Sequence, residues 1–138
     1  MSILKGLTTM VLTADDVDAA AEWYADFLGQ SPYFRQPPEG PAAYVEFRIG
    51  PDEDELGIMD RSYSPEGTTA GSSSVTHWHV DDVEKALADL VGRGATVHAP
   101  VTPRGPEFVT ASVVDPFGNV LGLMYSPHWS GPHWSGQH

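Results

Sequence analysis

Two short phrases in this chain each occur twice at nearly one interval. Asp15-Asp16-Val17 returns 66 positions later as Asp81-Asp82-Val83, and Leu56-Gly57-Ile58-Met59 returns 65 positions later as Leu121-Gly122-Leu123-Met124. Both phrases keep their place in a common order of elements, which is the mark of one structural unit used twice. Chemistry in such a fold is expected at equivalent positions of the two halves.

The periodicity of each half supports this. Residues 7–14 are rich in β-branched side chains and predict a strand. Asp15 or Asp16 then caps a helix whose face is Val17, Ala20, Ala21, Tyr24 and Leu28, with Gly29 as its stop. Short strands follow at 32–35, 42–49 and 55–60, and residues 62–73 form a linker rich in Ser, Gly and Thr. The series restarts with a strand at 74–80 and a capping box at Asp81-x-x-Glu84. A helix face of Val83, Ala86, Leu87, Leu90 and Val91 ends at Gly94. A strand at 96–101, a turn at 102–106, a strand at 107–114, a hairpin turn at 115–119 and a strand at 120–125 complete it. Each half thus reads β-α-β-β-β. The predicted class is α+β: two tandem modules, 1–61 and 74–126, whose curved mixed sheets enclose a cavity and carry their helices outside. The tail 127–138 repeats Pro-His-Trp-Ser-Gly without apolar periodicity and reads as a loosely packed terminus.

Composition narrows the function. The net charge is −12, from 19 acidic and 7 basic residues, which argues against nucleic acid and against an anionic membrane surface. Such a field attracts a cationic ligand, but a solvated acidic surface that keeps the protein soluble accounts for it without one. There is no cysteine, so disulfides, thiolate metal sites and cysteine nucleophiles are excluded. No apolar run is long enough to span a membrane, and the first residues lack the form of a signal peptide, so a cytoplasmic location is expected.

Three features together resemble the vicinal oxygen chelate superfamily of glyoxalases, bleomycin-resistance proteins and dioxygenases. They are the paired β-α-β-β-β series, the strand-Asp-helix openings at 11–17 and 78–83, and the closing phrase Asp115-Pro116-Phe117-Gly118-Asn119-Val120-Leu121-Gly122-Leu123-Met124. The resemblance covers roughly residues 5–125. It implies metal ligands on the first and last strand of each half, at positions that fall here on Thr9, Gly57, Val75 and Gly122. Metals of this kind need imidazole nitrogen or carboxylate oxygen, and none of the four supplies either. A shift of one residue does not restore a ligand. The resemblance therefore points to the metal-free, ligand-sequestering members: a homodimer that binds a cationic or aromatic small molecule, an antibiotic among the candidates, with no cofactor.

Other candidates remain beside that reading. His77 and His79 lie two apart on a strand and project to one side. They are candidates for acid–base chemistry, for hydrogen bonding to a ligand, or for a displaced divalent-metal site with Glu46 as third ligand, and equally for structural histidines. This leaves a lyase or isomerase as the alternative to a binding protein, and no catalytic residue is assigned. Met59 and Met124 flank the two glycines, which are expected to leave space on the cavity wall. The expected ligand-contacting set is Thr9, Val11, Glu46, Gly57, Met59, His77, His79, Phe108, Gly122 and Met124. The side of the strand on which Glu46 stands is open at this level.

Overall fold

The computed structural model describes Ser2, Ile3, Lys5, residues 7–63, residues 75–127 and Trp129. The linker beyond residue 63 and most of the repeated tail lie outside the described residues. The chain divides into two compact units, Met1–Ser64 and Pro65–His138.

The first unit runs β1 (Thr9–Ala14), α1 (Val17–Leu28), β2 (Phe34–Gln36), β3 (Tyr44–Ile49) and β4 (Asp54–Asp60), followed by a short 3₁₀ turn at Arg61–Tyr63. Its sheet has the order β1-β4-β3-β2. β1 and β4 are parallel, and the other pairs are antiparallel. The helix starts where Asp16, in extended backbone, accepts a hydrogen bond from the N–H of Ala19 (3.0 Å), satisfying one of the free first-turn donors. It stops at Gly29, whose φ of 70° is the left-handed conformation that glycine adopts without strain. Between these caps Val17, Ala20, Ala21 and Tyr24 are buried. They belong to the same core as Leu12, Ala14, Val45, Phe47, Leu56 and Ile58 of the sheet. Each of the larger side chains contributes roughly 1.5–3 kcal/mol by leaving water.

The second unit repeats this with β5 (Thr76–His79), α2 (Val83–Gly92), β6 (Thr96–Gly105), β7 (Phe108–Val114) and β8 (Val120–Tyr125), in the order β5-β8-β7-β6. β5 is parallel to β8, as β1 is to β4. The hairpin between β7 and β8 is held by Asp115, whose Oδ1 accepts from the N–H groups of Phe117 and Asn119 at 2.9 and 2.8 Å. Gly118 takes a φ of 92° there.

Three local expectations are corrected. The cap of α2 is Asp82, which accepts from the N–H of Lys85, so the frame lies one residue past the expected Asp81–Glu84 box. Val91 is exposed, leaving Val83 and Leu90 as the buried residues of that helix. The strand expected to end at Val101 continues to Gly105. β6 is an edge strand, where Pro103 costs little pairing, and three register shifts against β7 absorb the irregular stretch. The chain reverses after it near Glu107, at a φ of 65°. Among the described residues no helix is long and apolar enough to cross a membrane.

Candidate functional site

Strand alternation assigns every side chain to one of two faces, and directly paired residues share a face. In the first sheet the core residues point toward α1. The opposite face carries three rows: Thr9, Glu55 and Arg48; Val11, Gly57, Glu46 and Phe34; Thr13, Met59, Tyr44 and Gln36. The side of Glu46 is thereby settled. It stands on the helix-free face, in the row of Val11 and Gly57.

Gly57 does not face empty space. A Cβ built on it would lie 2.7 Å from Cε1 and 2.8 Å from Cζ of Tyr44, far inside contact distance. The Tyr44 ring lies across the glycine and donates its hydroxyl to Oε1 of Glu46. Tyr33 donates to the other carboxylate oxygen, Oε2. Arg48 sits with its guanidinium carbon 4.2 Å from the centre of the Tyr33 ring, a cation–π contact. Phe34 packs at 6.3 Å from Tyr44, centre to centre, and remains 45% exposed. Burial, and then the hydrogen bond to Glu46, push the Tyr44 phenol well above the usual tyrosine range. The Glu46 hydrogen bond comes first in raising Tyr33. Both phenols therefore stay protonated as donors, and Glu46 is held as an acceptor between them. In the next row Thr9 gives its hydroxyl proton to Glu55 at 2.7 Å.

In the second sheet the face away from α2 carries His77, Gly122 and Ser112 in one row and His79, Met124, Thr110 and Thr102 in the next, with Phe108 beyond them on β7. Gly122 is again covered. A Cβ there would meet the backbone oxygen of Thr76 at 2.7 Å and Cδ2 of His77 at 2.8 Å. The expectation that both glycines leave space for a ligand is corrected: a ring from a neighbouring strand fills each position.

His77 and His79 share a face but not an environment. His77 is exposed. His79 has a side-chain exposure of 12% and lies 3.6 Å from Asp81 through Nε2. Its ring stacks on Trp129, with centres 4.2 Å apart and planes within 9°. Its Nδ1 is buried and has no hydrogen-bond partner. The two histidines therefore do not present themselves together to one open space.

Five polar side chains of these faces escaped the sequence reading. Tyr44 was legible in part, since it alternates in phase with Glu46; Tyr33 lies in the loop before β2. His98, Ser112 and Arg104 belong to the second sheet. His98 sits in the bulge of β6 and reaches Ser112 Oγ with Nδ1 at 2.9 Å, and Arg104 Nε donates to Thr110 Oγ1 at 3.0 Å. No regular pattern places a bulged residue. Two cavities lie away from these faces: one of about 380 Å³ between the start of α2 and Val101, Pro103, Val109 and Tyr125, and one of about 360 Å³ beside α1 near Asp18 and Glu22.

The four positions at which the resemblance implies metal ligands do not fit a divalent ion. Gly57, Gly122 and Val75 present no side-chain donor atom, and Thr9 offers only a neutral hydroxyl in place of an imidazole or carboxylate. Among the described residues no group of three or more His, Asp or Glu is placed to hold a metal. The two histidines of the displaced-metal alternative belong to the second unit and Glu46 to the first.

Several solved structures share the fold. A glyoxalase-related enzyme from Fulvimarina pelagi matches with a TM-score of 0.71 at 19% identity, covering 92% of each chain. TioX from Micromonospora sp. ML1 matches at 0.67 and 16% identity over 87% of this chain and 98% of its own. Lactoylglutathione lyase from Agrobacterium tumefaciens matches at 0.66 and 20% identity over 93% and 98%. At such identities the likeness is one of fold, and it bears out the expected pair of β-α-β-β-β modules. No curated protein matches significantly. Residues 6–123 match the Glyoxalase/Bleomycin resistance protein/Dioxygenase superfamily, and the chain belongs to that family.

Proposed function

We propose that this protein binds a small organic molecule against the helix-free faces of its sheets, without a divalent metal, and that sequestration of an antibiotic-like compound is its use. The observation that carries this reading is the filling of the two last-strand positions. Tyr44 covers Gly57 and His77 covers Gly122, where a metal-binding carboxylate would have to stand. On the first face the Glu46 carboxylate lies among Tyr33, Phe34 and Tyr44. A carboxylate beside aromatic rings suits an organic cation, through charge and through the ring faces. The same reading takes the protein to be a cytoplasmic homodimer.

Elemental analysis of untagged protein, combined with thermal melting, tests this. Nickel, zinc, manganese and iron are expected well below one per chain, and a chelator leaves the melting temperature unchanged. Benzyltrimethylammonium, an aromatic cation, raises it by several degrees at about 100 times its Kd, and Glu46→Gln abolishes that rise. One tightly held metal per chain, whose removal lowers the melting temperature or prevents ligand binding, overturns the reading. Exposure of the His77 ring favours a second reading, a lyase or isomerase with His77 as acid–base group, which predicts that His77→Ala removes turnover and keeps binding.

A further inference from the structure

The four strands of the second sheet contain no Asp or Glu, in a chain that holds 19 acidic residues. The strands of the first sheet carry Glu46, Asp54, Glu55 and Asp60. The face of the second sheet away from α2 instead gathers hydrogen-bond donors. Thr110 and Ser112 stand two apart on β7, which sets their side chains about 7 Å apart on one face. Both are buried, at 8% and 4% exposure, and each has a polar neighbour from β6.

The proton inventory at this patch is one-sided. Arg104 Nε–H donates to Thr110 Oγ1, so the Thr110 hydroxyl keeps its own proton to give. Among the described residues no carboxylate pairs with Arg104, and none takes a hydrogen bond from its four remaining N–H groups. The Ser112–His98 contact leaves one donor in either tautomer. If Ser112 donates to Nδ1, the His98 Nε2–H is free; if Nδ1–H donates to Ser112, the serine proton is free. Beside Ser112 in its row is Gly122, with His77 leaning over it. Two polar pairs, Arg104 with Thr110 and His98 with Ser112, thus stand on neighbouring rows of one face, with no acid on the four strands to compete. The acidic surface elsewhere repels anions, but its reach fades over about 8 Å at physiological salt, so the local donors decide.

We propose that this face binds an oxyanion, the carboxylate or phosphate group of a small ligand. Arg104 is its charge partner, and Thr110, Ser112 and His98 position it through charge-assisted hydrogen bonds. The proposal rests on the reading that this face takes a small molecule, and it is independent of a cation at Glu46.

Backbone amide NMR of the full chain tests it, by titration with inorganic phosphate and separately with acetate, at ionic strength held constant with chloride. Shifts are expected around His98, Arg104, Thr110 and Ser112. Arg104→Gln weakens binding of the preferred anion at least tenfold, and Ser112→Ala weakens it several-fold. Preference for phosphate or for acetate identifies the anion, and either supports the site. Shifts that chloride alone reproduces, shifts centred on other residues, or affinities unchanged in both Arg104→Gln and Ser112→Ala overturn it. Phosphate binding here with no binding of the aromatic cation would remove the cation reading and keep this one. The reverse result would do the opposite.

Discussion

Gly57 and Gly122 occupy equivalent places in the two units, each on the last strand and each covered by a ring, but the covering differs in kind. Over Gly57 the three nearest atoms all belong to the Tyr44 side chain, reaching from the antiparallel neighbour β3. Over Gly122 the nearest atom is the main-chain oxygen of Thr76 on the parallel neighbour β5, with the His77 ring beside it. A side chain can swing away at the cost of its own hydrogen bond, whereas a backbone oxygen moves only with its strand. The duplication has kept the small residue in both halves and changed what depends on it. In the first half the glycine lets a phenol reach Glu46, and in the second it lets two strands approach closely.

One methyl added to each glycine should separate the two cases. Gly122→Ala is expected to cost about 3 kcal/mol, the upper part of the range for overpacking, because β5 must shift. Gly57→Ala is expected to cost about 1 kcal/mol, since Tyr44 can rotate off Glu46 and alanine restricts the unfolded chain. Urea denaturation of the single variants gives both numbers. Adding Tyr44→Ala to Gly57→Ala should remove most of the clash, visible as coupling in a double-mutant cycle. Equal costs at the two glycines would mean that the distinction between side-chain and backbone obstacles is wrong.

The frame of these sites was legible in the sequence because it rests on short-range chemistry. Asp before an apolar helical face, Gly after it, and Asp-Pro-Phe-Gly-Asn between two strands each act within a few residues. The register of Glu46 with Gly57 and of His77 with Gly122 is set by pairing between strands remote in sequence, and it fixes which ring covers which glycine. Tyr44 could be seen to share a side with Glu46, but not that its ring crosses to the next strand. His98 was out of reach, because the bulge that aims it at Ser112 comes from irregular pairing of β6. The sequence reading also gave the paired histidines one environment, since alternation assigns a face and says nothing of Trp129 stacked on His79.

A second contrast between the units is in titration. Glu46 holds two of the five tyrosines, and no carboxylate stands on the strands of the second sheet. Raising the pH while following phenolate absorbance should show Tyr33 and Tyr44 ionising after the ordinary tyrosine range near pH 10. Because the folded value of Tyr44 lies above the unfolded one, its contribution to stability is full below about pH 10 and is lost as the pH rises through the folded value. Glu46→Gln should return Tyr33 most of the way, since the carboxylate is its leading cause. Tyr44 should return only in part, since burial leads there. A variant in which both phenols shift alike would contradict that ordering of causes.

The smallest expected difference concerns the helices. Asp18, in the first turn of α1, accepts from Arg35 and from the N–H of Ala42, both at 3.0 Å, tying the helix to β2 and to the loop that follows it. Its counterpart 66 positions on is Glu84, exposed and without an ion pair among the described residues. The Ala42 hydrogen bond, and then Arg35, hold the Asp18 carboxyl below its usual value. Its stabilisation is therefore present above the unfolded value near pH 3.9 and lost as the pH falls through the folded one. Asp18→Asn should lower the denaturation midpoint at pH 7 and converge on the wild type in strong acid. Glu84→Gln, which breaks no such tie, should leave the midpoint nearly unchanged at both pH values. If the two variants behave alike at pH 7, the Asp18 tie contributes nothing, and the helices differ in appearance but not in energy.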